Sequence, residues 1–120
     1  MKKNILKIIY KTLLIIISTL FIFAGFEKIL LQPQMVESFN VFGLPKEFMV
    51  IIGFTELVLA IMLQTKYFTK LSTHGLITIL SFASFFHIMN HQYFLSLVPL
   101  VVISILLITL NLGQKVRNIS

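Results

Sequence analysis

Four runs of apolar residues, each 17–20 residues long, constrain this chain more than any other feature of its sequence. They cover about residues 12–31, 48–64, 71–90 and 93–112. Crossing a hydrocarbon layer of ~30 Å takes about 20 helical residues, and about 17 is still workable. Inside that layer every backbone N–H and C=O must find its partner within the protein, so an apolar span of this kind is a helix. Composition agrees: 58% of the residues are hydrophobic and 12% charged, against roughly 45–50% and ~25% in soluble domains. So few polar side chains cannot cover a soluble surface. An ordinary soluble enzyme, a disordered tail and a nucleic-acid-binding module are thereby excluded. The expected fold is all-α: one integral membrane domain over residues 1–120, a four-helix transmembrane bundle with a short outer amphipathic segment between spans one and two.

The charges give the orientation. Lys2, Lys3, Lys7, Lys11, Lys66, Lys70, Lys115 and Arg117 share one side in a four-span topology, and only Lys28 and Lys46 fall on the other. Lys and Arg in short loops stay in the cytoplasm, which predicts both termini there. An odd number of spans would split the eight between two faces. A cleaved signal peptide is the alternative for the first run, but Ile22 and Phe23 stand where cleavage before or after Gly25 wants a small residue. The expectation is an uncleaved span.

Most connections are short and predict antiparallel neighbours. The exception is residues 32–47, bounded by Pro33 and Gly43-Leu44-Pro45. Met35, Phe39 and Phe42 recur there at helical spacing, which reads as a short amphipathic helix or cap on the outer side. An irregular interfacial loop is the other reading.

Three charges sit within the apolar runs, Glu27 and Lys28 near the end of the first and Glu56 in the second. Glu56 is near the middle of span two, where an acid costs about 2.5–3.5 kcal/mol on insertion scales. It should face the bundle interior, paired or protonated. Lys28, in span one, lies at a level that its flexible stem can bring to Glu56. An interior ion pair between spans one and two is expected, with Gly25 and Gly53 permitting close approach. A proton or cation site at Glu56, or a quinone hydrogen bond, is the functional alternative; Lys28 has Glu27 or an outer lipid phosphate as other partners.

Span three carries His74, Thr78, Ser81, Ser84, His87 and His91 at steps of 4, 3, 3, 3 and 4, one broad side of a helix. His87 and His91 at its outer end are candidate functional residues. Two histidines one turn apart cannot be opposite axial ligands of one haem, and a metal wants three or more good ligands, with only Glu27 and Glu37 nearby. The chain has no Cys. No metal site and no intrinsic redox centre are expected. Phe82, Phe85 and Phe86 offer an apolar slot for a quinone ring, and Pro99 should kink span four near its outer end. Tyr10, Tyr67 and Tyr93 fall near the boundaries as interfacial anchors.

Gly25-Phe26-Glu27-Lys28, Gly43-Leu44-Pro45, Gly53-Phe54-Thr55-Glu56, then His87 and the proline-broken last span, together resemble the DoxX-like family of small four-span bacterial membrane proteins. The resemblance covers about residues 13–110. It implies an accessory or subunit of a quinone-linked membrane electron-transfer system, with a membrane oxidoreductase as partner and a quinone interaction, but no defined catalytic residues. A chain of this length with one embedded acid is also similar in outline to the small multidrug transporters, which would make it a proton-coupled homo-oligomer using Glu56. Their essential acid lies in the first span, whereas Glu56 is in the second.

Overall fold

A computed structural model describes residues 2–65 and 67–119, with the backbone alone at Ile119. Among these the chain forms five helices and no strand: α1 (Lys2–Ile29), α2 (Pro33–Val41), α3 (Lys46–Met62), α4 (Thr69–Met89) and α5 (Tyr93–Ile119). Lys66, counted above among the inner charges, lies outside the described residues.

Three helices, α1, α4 and α5, are long and apolar enough to cross a membrane. The expectation was four. α3 has 17 residues, about 26 Å at 1.5 Å per residue, a few ångström short of the hydrocarbon thickness. Its limits have local causes. Pro45 stands in extended backbone at its N-cap, and Gln64 and Thr65 turn the chain after Leu63 through bonds to Ile61 and Met62.

α3 packs most extensively on α1, and α4 on α5; the sides α1–α5 and α3–α4 also touch. The apolar core is formed by Leu14, Ile17 and Phe21 of α1, Ala60 of α3 with Leu63 at its end, Leu76 of α4 and Leu106 of α5. At the level where α1 and α5 continue past this core, Tyr10 fills the space over Gly113, whose added Cβ would lie 2.8 Å from the ring. Tyr10 is therefore an interhelical contact, while Tyr67 and Tyr93 stay exposed as anchors do.

The segment between α1 and α3 is a helix, as one of the two sequence readings had it. Pro33 opens α2 in its first turn, where a missing N–H costs nothing. None of its residues is buried. Phe42, its C-cap, seats it by stacking on Phe86 at 5.5 Å and meeting the His87 ring edge-on at 5.0 Å.

The ends of α1, α2 and α4 share one device. Leu31 (φ 57°), Gly43 (φ 76°) and His91 (φ 59°) are left-handed. In each case the next N–H reaches back five residues: Gln32 to Glu27 at 3.0 Å, Leu44 to Phe39 at 2.8 Å and Gln92 to His87 at 2.8 Å. The left-handed residue itself donates three residues back, to Lys28, Asn40 and Ile88 respectively. This Schellman closure satisfies terminal carbonyls that would otherwise be orphaned. Gly43 is there because only glycine adopts that φ freely. α5 runs through the buried Pro99 as one helix; the ring leaves the Leu95 carbonyl without its usual donor.

Candidate functional site

The embedded charges meet. Lys28 Nζ lies 2.9 Å from Glu56 Oε1, with the side chains 13% and 3% exposed. The pair exists because two glycines let the helices approach. A Cβ on Gly25 would stand 2.7 Å from the Gly53 carbonyl oxygen, and one on Gly53 would stand 2.8 Å from the Gly25 oxygen. Gly53 has a second role, since its Cβ would also fall 2.9 Å from the Cβ of Lys28. One turn before Glu56, it makes room for the lysine stem that reaches the acid.

Below the pair the same seam carries further polar bonds that the sequence reading missed. Ser18 Oγ donates to the Ala60 carbonyl at 3.0 Å. The Gln64 amide donates to the Leu14 carbonyl at 2.9 Å and to Ser18 Oγ at 2.7 Å. The partners run in opposite senses, Gly25 with Gly53, Ser18 with Ala60 and Leu14 with Gln64, so α1 and α3 are antiparallel. On the far side of α3, Ser72 donates to the Leu59 carbonyl and Thr69 to that of Leu63 at 3.0 Å. No buried side-chain N or O among the described residues lacks a partner.

The polar stripe expected along span three divides between exposed and interior positions. Thr78 and Ser81 are exposed, and each donates to the carbonyl four residues back, His74 at 2.9 Å and Ile77 at 2.8 Å. Such a bond satisfies a hydroxyl on any face of a helix. Ser84 is the buried member, donating to the Ser96 carbonyl of α5 at 3.3 Å. His91 is not on the helix: it follows the Asn90 cap in left-handed backbone, and its Nδ1 lies 3.0 Å from the Tyr93 hydroxyl. His87, half-buried, has Nδ1 2.8 Å from Gln92 Oε1. The two histidines thus serve separate local contacts at the α4 end. Among the described residues no three His, Asp or Glu side chains converge where a metal ion could be held.

The expected aromatic slot is divided. Phe86 turns inward to Phe42, whereas Phe82 and Phe85 line an open groove with Ile77, Thr78 and Ser81, all on α4.

Three helices long and apolar enough to cross a membrane, a further helix, α3, bonded to two of them, and a charge pair buried between α1 and α3 define a multi-pass helical membrane protein. A family model described as the DoxX-like family matches residues 12–109, and the chain belongs to that family. No curated protein and no solved structure matches it.

Proposed function

We propose that this protein is an accessory subunit of a quinone-linked electron-transfer assembly in the bacterial cytoplasmic membrane, with no redox centre of its own and no independent catalysis. In this reading it is a four-helix transmembrane bundle, spanning four times with both termini in the cytoplasm. The observation that carries it is the sealed Lys28–Glu56 pair. A carrier must expose its acid to one side and then the other, whereas this acid is neutralised at 2.9 Å in a seam closed by backbone contact at Gly25 and Gly53. A fixed clamp suits a subunit held in an assembly. Membership of the DoxX-like family supports the link to quinone systems.

The fourth span is α3. Its antiparallel partners on α1 extend from Ser18 to Lys28, about 15 Å of helix, and Gln64 just past its end carries the contact on to Leu14, so the segment accompanies α1 through most of the hydrocarbon layer. A quinone ring is met, in this reading, at the α4 groove between Phe82 and Phe85.

Extraction in mild detergent and co-purification test the proposal. The expected result is a stoichiometric membrane oxidoreductase partner whose quinone-dependent activity falls when this chain is deleted. A self-associated oligomer alone, with pH-dependent transport abolished by Glu56→Gln, would replace it with the transporter reading. A reporter active only outside the cytoplasm should be silent at residue 120 and active within residues 34–42; the reverse pattern would overturn the topology.

A further inference from the structure

We infer that the basic end of the molecule holds a binding site for the headgroup of an anionic phospholipid, in the cleft between the first turns of α1 and the last turns of α5. α1 has 28 residues and α5 has 27, about 42 and 40 Å of helix. Both exceed the ~30 Å of hydrocarbon by about two turns. Their Lys-bearing ends project together on the same side, because Tyr10 of α1 packs on Gly113 of α5 just before they leave the apolar core.

Beyond that contact the helices form a cleft lined by Lys2, Leu6, Lys115 and Asn118. It holds about 400 Å³, within the range of about 300–1,000 Å³ usual for small-molecule clefts. Lys2, Leu6 and Tyr10 succeed one another at four-residue steps, so they share the face of α1 turned toward α5. The chemistry fits a phosphodiester at the membrane surface. Two ammonium groups supply charge, the Asn118 amide can donate, and Leu6 offers an apolar wall where a headgroup joins its acyl chains.

Lys3, Lys7 and Lys11 add charge on the adjoining face. All four glutamates of the chain lie within residues 27–56, so no acidic side chain competes at this end. Basic clefts between membrane helices are where anionic headgroups bind. The four lining residues lie on either side of the stretch that matches the family, 12–109, so the site is a feature of this chain's own ends. It depends neither on the quinone reading nor on which leaflet the end faces.

Native mass spectrometry of the purified full chain in detergent tests this, with phosphatidylglycerol and phosphatidylcholine of identical acyl chains as probes. Each lysine at an anionic surface is worth about a fivefold factor. Phosphatidylglycerol should therefore be retained roughly twentyfold over phosphatidylcholine, and the double variant Lys2→Gln/Lys115→Gln should bring the two lipids close to equal retention. Lys46→Gln, at the other end, should leave it unchanged, and Lys2→Glu/Lys115→Glu should reverse it. Both lysines are exposed, and an unchanged helical circular dichroism spectrum certifies the fold of each variant. Equal retention of the two lipids by the wild type would overturn the proposal, as would a preference that survives the double variant. Displacement of the lipid by millimolar glycerol phosphate would show a free-phosphate site and overturn the lipid assignment.

Discussion

The α1–α3 seam and the α4–α5 seam are held by different means. The first carries an ion pair, a reciprocal glycine contact and three hydrogen bonds, one from Ser18 to α3 and two from Gln64, just past the end of α3, to α1. Across the second, Ser84 to the Ser96 carbonyl is a long bond at 3.3 Å, while Ser96 and Thr109 donate within α5 itself, to Tyr93 at 2.6 Å and to Ile105 at 2.7 Å. Connection length explains the contrast. Residues 90–92 alone join α4 to α5, whereas residues 30–45, including α2, separate α1 from α3. A short link brings its helices together at little entropic cost, and a longer one costs more. Apolar packing cannot fix the register of the distant pair, because lipid tails are as apolar as leucine. Small residues and polar bonds must do so. α3, the shortest of the four long helices, is bonded to neighbours on both sides, to α1 and to α4.

The sharpest way to break this comparison is to remove one charge. Lys28→Met leaves Glu56 buried without a partner, and breaking a buried pair costs about 3–5 kcal/mol. Glu56→Leu should cost less, since Lys28 sits one residue from the end of α1 and its amine can turn to the interface. The double variant should recover part of the loss. Unfolding by titrated detergent, followed by helical circular dichroism, measures all three. Strictly additive losses would show that the pair does not couple the helices.

Next in size are the glycines. Gly53→Ala must push apart two backbones and the Lys28 stem, and overpacking of this kind costs about 1–3 kcal/mol. Gly75→Ala, between α3 and α4, meets the Leu59 side chain, its terminal methyls at 3.0 and 3.1 Å and its Cγ at 3.7 Å, and the methyls can rotate away. Its effect should be smaller. Equal losses at the two positions would mean that the α1–α3 seam is no tighter than its neighbour.

How much of this could be read beforehand depended on how few solutions each residue had. An acid near the middle of a span has few partners, and Lys28 is the one cation whose stem reaches its level, so Lys28 and Glu56 were legible, and the glycines one turn from each followed. Ser18 and Gln64 were not. A hydroxyl in a helix can bond its own backbone, as Thr19 does to Ile15 at 2.8 Å, so its presence marks no direction. The same ambiguity made Thr78 and Ser81 resemble a stripe with His74 and His87. His91 was misplaced by the helix end: Asn90 and a left-handed turn close α4 before it, and histidine is among the residues that tolerate that backbone.

The smallest effects test the comparison most directly, because they set one hydroxyl against another. Ser18→Ala removes the bond to the Ala60 carbonyl and the acceptor for one Gln64 bond. Ser84→Ala removes the bond to Ser96. Side-chain hydrogen bonds between membrane helices average about 0.6 kcal/mol and reach about 1.7 kcal/mol. Ser18 serves two short bonds and belongs near the upper figure. Ser84 makes one long bond, in a hairpin whose link already holds its helices together, and belongs at or below the average. Ser96→Ala is the control, since its hydroxyl bonds only within α5 and its carbonyl survives the change; it should be close to neutral across the seam. A larger loss from Ser84→Ala than from Ser18→Ala would reverse the assignment. The specifying contacts would then lie between α4 and α5, and connection length would not be what decides where a membrane protein of this size places its polar bonds.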